Sequence, residues 1–290
     1  MSELSDVAPM GPGPVHRKNV ILKLWGDEVA GQVNDWIYVM GQRLVQMVFS
    51  IAPGGRFTQS DQWKPIYGAD ELYYVVKGTL VLANPETGEV VRAEEGEALH
   101  FHPDTWHHGF NNGPGELQVL EFFAPAPPQE TVAEAGDGYG HARPPLRHPT
   151  YERNAVVGNW PPGGSEPAGR RTIHKADASK TLWRLEGEQR RILVGIMLST
   201  PGLTAGRIEL LPGQFSDVRT HAGDLALFVE HGRLNVLLPD EDASARWSEL
   251  HAEDGFYAPA GTPHRYFNET DEPVRCLFAV APAYLPIGSA

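Results

Sequence analysis

Three blocks of this chain recur in the same order at nearly one spacing, and that repetition limits the possible folds more than any other feature. Pro53-Gly54-Gly55-Arg56-Phe57 is echoed by Pro212-Gly213-Gln214-Phe215, and Tyr74-Val75-Val76-Lys77-Gly78 by Phe228-Val229-Glu230-His231-Gly232. Asp104-Thr105-Trp106-His107-His108-Gly109-Phe110-Asn111 is echoed by Gly261-Thr262-Pro263-His264-Arg265-Tyr266-Phe267-Asn268. Self-similarity of this kind marks a duplicated structural unit. The 290 residues therefore divide into two copies, each long enough to bury its own core.

Each copy reads as a set of short strands. Leu44–Ile51, Leu72–Val76, Thr79–Ala83 and Leu117–Phe123 are runs of β-formers, as are Ile192–Leu198, Arg207–Leu211, Leu225–Val229, Leu234–Leu238 and Val274–Val280. Asn84-Pro85-Glu86-Thr87-Gly88 has the composition of a hairpin turn. Helical periodicity is scarce, with a short helical turn expected only within Gly26–Met40 or Thr131–Ala135. Proline- and glycine-rich stretches, Ala124–Gln129 and Trp160–Gly169, punctuate a connection that could drape over one copy.

The repeated blocks resemble the two signature motifs of the cupin superfamily, one built on a His-X-His pair, a glutamate and a glycine, the other on Pro-X-Gly, a histidine and an asparagine. Pro259, Gly261, His264 and Asn268 match every fixed position of the second motif after its leading glycine, whose slot falls on Glu253. Counting from Gly213, the first-motif histidine slots fall on Arg219 and His221, the acidic slot on Leu225 and the closing glycine on Gly232. In the first copy Glu71 and Gly78 keep the end of the first motif, but its histidine slots fall on Pro65 and Tyr67 or on Lys64 and Ile66. The second-motif histidine there is His107, with His108 available in a frame shifted by one. The resemblance implies an all-β chain of two tandem cupin-type (double-stranded β-helix, or jelly-roll) barrels. The expected divisions are an N-terminal arm (1–40), a first barrel (41–125), a long connecting segment (126–180) and a second barrel (181–290).

Cupins of this kind hold a divalent metal on three histidines and a carboxylate inside the barrel, and imidazole and carboxylate suit Fe, Mn, Ni, Cu or Zn. Here each barrel keeps about half of such a set: Glu71 and His107 in the first, His221 and His264 in the second. His100 and His102 alternate on one strand face and could complete the first set with His107 or His108. Asp224 lies one position from the acidic slot of the second barrel and could serve after a bulge. The expected cofactor is one such metal, or none. Glu71, His107 and Tyr73 are the catalytic candidates, and Trp63, Lys64, Tyr67 and Trp106 the residues expected to wall a substrate pocket. Asn111 and Asn268 read as strand-end hydrogen bonders, and the single cysteine, Cys276, as a buried thiol.

Two functional classes follow. One is a small-molecule enzyme acting on an oxygenated organic substrate in the first barrel, either metal-dependent and dioxygenase-like or a metal-free isomerase, cyclase or lyase. The other is a non-catalytic binding or scaffold bicupin that has lost its metal sites. A net charge of −13 argues against nucleic acid or an anionic membrane as partner. The first fifteen residues lack the basic head and apolar stretch of a secretory signal, so the expected compartment is the cytoplasm, and the resemblance implies a homodimer.

Overall fold

A computed structural model describes residues 11–125, 171–188 and 192–286 of the chain. Its sole described helix is one 3-10 turn at Arg17–Asn19, and the remainder is strand and turn. The first barrel joins two sheets. In the larger, the order is β12 (Ile173–Ala176), β9 (Ala98–Phe101), β6 (Asp70–Lys77), β11 (Leu117–Ala124), β4 (Val45–Ile51), β3 (Gly31–Met40) and β2 (Ile21–Asp27). In the smaller it is β5 (Arg56–Phe57), β10 (His108–Asn111), β7 (Thr79–Asn84) and β8 (Glu89–Glu94).

The second copy repeats this plan. Its larger sheet runs β1 (Gly13–Val15), β19 (Gly255–Ala258), β16 (Asp224–His231), β21 (Val274–Ala281), β15 (Thr204–Leu210), β14 (Ile192–Ser199) and β13 (Leu182–Glu186). Its smaller sheet is β18 (Trp247–Leu250), β17 (Leu234–Leu237) and β20 (Arg265–Phe267). Every expected strand is present with small changes at the ends, and Asn84–Gly88 closes the β7–β8 hairpin as its composition implied. All described pairings between named strands are antiparallel, so each inner strand turns alternate residues into a barrel.

The division of the chain departs from the sequence reading in two places. Residues 21–40, expected to be an arm or a helical turn, form the two outermost strands of the first sheet. Burial in β3 has period two, with Val33, Asp35, Ile37 and Val39 buried and Gln32 and Asn34 exposed, whereas a helix would set Val33 and Asp35 on opposite sides of its axis. β12, from the connecting segment, completes the sheet of the first barrel beside β9, while β1 from the N-terminus pairs with β19 of the second. Each barrel is thus finished by a strand from outside its own repeat. Thr131–Ala135 and Trp160–Gly169 lie outside the described residues.

The two larger sheets pack on one another. Leu72, Tyr74, Ala98, Leu120 and Phe122 of the first barrel share one core with Ala205, Ala226, Phe228, Leu277 and Ala279 of the second. At roughly 1.5–3 kcal/mol for each large apolar side chain buried, this seam is a major part of the stability. Polar contacts fix its register: the Tyr74 hydroxyl donates to Glu230 at 2.6 Å, and the Tyr38 hydroxyl to the Glu253 carbonyl at 2.6 Å. The opposite faces of the same strands fill the two barrel interiors.

The repeated asparagines act alike. Asn111 donates to the carbonyls of Ile51 and Gly115, and Asn268 to those of Leu210 and Glu272. Each ties a strand end to the neighbouring strand and turn. Cys276 is buried, and burial raises its thiol pKa, as expected of a small core residue.

Candidate active site

β6 runs Asp70-Glu71-Leu72-Tyr73-Tyr74, and alternation sends Glu71 and Tyr73 into the first barrel while Asp70, Leu72 and Tyr74 face away. His107 stands just before β10, its backbone N–H donating to the Pro65 carbonyl at 3.3 Å. Glu71 and His107 converge: Oε2 of the one lies 3.8 Å from Nε2 of the other, and both side chains are essentially inaccessible. His107 Nδ1 is 3.0 Å from the Thr105 carbonyl. A carbonyl only accepts, so Nδ1 carries the proton and Nε2 presents its lone pair to the interior. Burial lowers the His107 pKa to about 3, which keeps the ring neutral. The Tyr73 hydroxyl therefore donates to Nε2, at 3.1 Å.

Two acidic residues that the sequence reading passed over complete the group. Glu121 on β11 points inward beside Glu71 and Tyr73, and Asp35 on β3 lies near Glu121. Burial, and then the neighbouring negative charge, raises the pKa of both Glu71 and Glu121. The two carboxyls are close enough to shift each other's titration, and a proton held by one of them removes their repulsion. Two carboxyls in one dry site do not both ionise, so the pair retains that proton at neutral pH. Asp35 is raised to about 7, mainly by burial.

A cleft of about 440 Å³, counting the space at its mouth, opens onto this group. Tyr73, His107, Glu121 and Asp35 supply its polar lining, and Trp25, Phe49, Phe57, Tyr67 and Phe123 much of its apolar wall. Glu71 is not among the residues that line it.

Of the residues expected to wall the pocket, Tyr67 does so, stacked on Phe123 at 5.8 Å. Trp63 sits one ring back, edge-on to Trp25 at 5.1 Å. Lys64 and Trp106 are not in the lining, and Trp106 is fully buried elsewhere. His108 is buried, but alternation turns it away from the cleft that His107 enters. His100 and His102 do share a face, but it is the outer one: Leu99 and Phe101 take the inward positions of β9. They cannot join His107.

The first barrel does not assemble the tripod of imidazoles that a cupin metal site implies. His107 is its one inward histidine among the described residues of the cleft, and the paired-histidine slots hold Pro65 and Tyr67 or Lys64 and Ile66. Glu71, Glu121, Tyr73 and His107 are the polar groups gathered there.

In the second barrel His221 and His264 also face inward, ring centroids 5.5 Å apart. Their Nδ1 atoms bond to the carbonyls of Tyr284 (2.6 Å) and Thr262 (3.0 Å), and burial lowers their pKa values to about 4 and about 3. The neighbouring slot, however, holds the Arg219 guanidinium, paired with Glu186 at 2.7 Å and bonded to the Tyr284 hydroxyl. Leu225 in the acidic slot is core. Asp224 faces the seam between barrels, bonded to the Tyr257 hydroxyl and the Ala260 N–H. A fixed cation beside two imidazoles opposes a second cation, so this donor set does not fit a metal either.

Two tandem antiparallel barrels with inward histidines on the second-motif turns define a bicupin. The cupin domain model matches residues 47–123 and 206–280, together more than half of the chain, and the chain belongs to the cupin family. No curated protein matches it. Among solved structures it is similar to the oxalate decarboxylase of Bacillus subtilis, at 14% identity and a TM-score of 0.63, over 98% of this chain and 80% of that one. It is similar to the Lactobacillus farciminis oxalate decarboxylase in its formate complex, at 15% identity and a TM-score of 0.63, over 97% and 89%. AerE from Microcystis aeruginosa matches at 8% identity and a TM-score of 0.58, over 90% and 97%. Identities this low establish the fold alone. Among the described residues no helix is long and apolar enough to cross a membrane.

Proposed function

We propose that the N-terminal barrel performs metal-free acid–base chemistry on a small oxygenated organic molecule, of the isomerisation, cyclisation, dehydration or decarboxylation type, while the C-terminal barrel braces it. The observation that carries this reading is the placement of His107, Tyr73 and the Glu71–Glu121 pair in one buried network at the floor of a single cleft. A substrate hydroxyl bonded to the Tyr73 oxygen passes its proton to Tyr73 as Tyr73 passes its own to His107 Nε2. The shared carboxyl proton moves from Glu121 to the substrate carbon or leaving group. The two transfers support each other: the carboxylate left on the pair faces the imidazolium forming 3.8 Å away at His107, and opposite charges at that distance in a dry site attract strongly.

Glu121, Tyr73 and His107 are the catalytic residues of this scheme, and Glu71 is a positioning residue that holds the proton and the compensating charge. The similarity to oxalate decarboxylases agrees with small oxygenated substrates but supplies no ligand set here. Titration of a panel of small hydroxy-, keto- and carboxylic acids, followed by intrinsic tryptophan fluorescence and product analysis, tests the reading. Turnover of at least one panel member is expected, lost in Glu121→Gln and His107→Gln with the fold retained. Binding without turnover of any panel member would favour the non-catalytic bicupin.

A further inference from the structure

On the outer face of the first sheet, away from the cleft, Asp70, His100 and His102 form a second polar cluster. Asp70 Oδ1 lies 3.2 Å from His100 Nε2 and 3.3 Å from His102 Nδ1. One potential ligand atom from each of the three residues falls within 4.8 Å of the others. A fourth donor stands beside them: His174 on β12 is directly opposite His100 in the strand register, its ring centroid 6.0 Å from that of His100 and 5.7 Å from that of His102. The four residues come from three adjacent strands, or from the residue just past a strand end, and the pleat turns them to one side.

We propose that Asp70, His100, His102 and His174 form a zinc-class divalent cation site on the outside of the N-terminal barrel, at its seam with the C-terminal barrel. Three imidazoles and one carboxylate are donors that borderline ions of this class select, and four of them satisfy tetrahedral coordination. The site is graded in exposure. His100 and Asp70 are shielded, while His102 and His174 are open to solvent, so an ion has an approach and a dry inner side.

The remaining oxygen of Asp70 indicates what the ion would do. Asp70 Oδ2 accepts from the Thr200 hydroxyl at 2.9 Å, and Thr200 lies on the β14–β15 turn of the second barrel. Hydrogen bonding to the outer oxygen of a ligating carboxylate orients it. An ion here ties β6 and β9 to β12, the strand supplied by the inter-barrel connection, and reaches the second barrel through Asp70 and Thr200. It is a structural clamp on the pair of barrels, separate from the cleft and independent of the chemistry proposed there.

Calorimetric titration of the chelator-stripped full chain with Zn²⁺, paired with visible absorption of the Co²⁺ form, tests the site. Binding of one Zn²⁺ per chain is expected, with intense Co²⁺ bands of tetrahedral coordination and a raised melting temperature on loading. The double variant His102→Ala/His174→Ala changes two exposed side chains and should keep the fold while losing the bound equivalent. Glu71→Gln, inside the barrel, should retain it. Absence of stoichiometric Zn²⁺ binding by the wild-type chain, or binding that survives the double variant, or binding that disappears in Glu71→Gln, would overturn the assignment.

Discussion

The hydroxyl of Tyr73 donates to Nε2 of His107 across 3.1 Å, and that donor is what satisfies an imidazole nitrogen with no access to water. The equivalent nitrogen in the second barrel, Nε2 of His264, is buried without a partner among the described residues. The two copies therefore keep the same inward histidine, but only in the first does a hydroxyl bond its Nε2.

Removing that hydroxyl separates stability from chemistry. Tyr73→Phe leaves His107 Nε2 buried and unbonded, at a cost of about 2 kcal/mol. It also breaks the relay, so turnover should fall by roughly 100-fold or more. Urea unfolding and turnover of the same preparation check both. Unchanged turnover with reduced stability would confine Tyr73 to a structural part.

The buried carboxyls give stability a definite dependence on pH. Asp35 is raised from its ordinary 3.8 to about 7, so the folded chain holds a proton the unfolded chain releases, and stability falls as pH rises across that interval. Buried histidines act in the opposite sense: His107 and His264, lowered to about 3, withdraw stability as pH drops below their ordinary 6.5. Above pH 6.5 those histidines are neutral in both states, and Glu71 and Glu121, also raised, add to the decline. Unfolding free energy should therefore fall from pH 6.5 to pH 8, by up to about 1.4 kcal/mol per pH unit for each proton involved. Asp35→Asn should flatten the decline between pH 6.5 and 7.5; a slope identical to wild type would refute the assignment.

Glu253 occupies the leading glycine slot of the second motif and has φ 71°, the left-handed conformation a glycine there would adopt at ease; Gly96, in the matching slot of the first copy, has φ 84°. A side chain in that region costs roughly 1 kcal/mol. The ion pair of Glu253 with Arg17, at 3.5 Å and largely exposed, offsets little of it. Glu253→Gly should raise the denaturant midpoint by an amount equivalent to about 1 kcal/mol. A lowered midpoint would show that the carboxylate matters more than the backbone.

The fold was legible because its signals are local: β-forming runs, turn residues and a repeat carried by backbone requirements at Gly78 and Gly232, both with positive φ. The convergence of Glu71 and His107 was legible from motif spacing. The remainder needed strand pairing. Period two shows that His100 and His102 share a face but not which face, and only the burial of Leu99 and Phe101 decides it. Glu121 stood in plain view as a single charge in Val119-Leu120-Glu121-Phe122-Phe123, a strand otherwise almost wholly apolar. A lone carboxylate in such a run must be buried, and so calls for a partner. Asp35 gave no such signal, because its flanks are mixed in polarity and its strand lies beyond the repeated blocks.

Proton transfer at the floor of the first cleft is the central step of the proposed chemistry. Incubating the protein in D₂O with a panel of small hydroxy- and keto-acids and following deuterium incorporation by NMR measures that transfer directly, whatever the product. The wild-type chain should place solvent deuterium on a carbon of at least one panel member, and Glu121→Gln and His107→Gln should not, whether or not metal is present. Incorporation that persists undiminished in both variants, or that requires added metal, would contradict it.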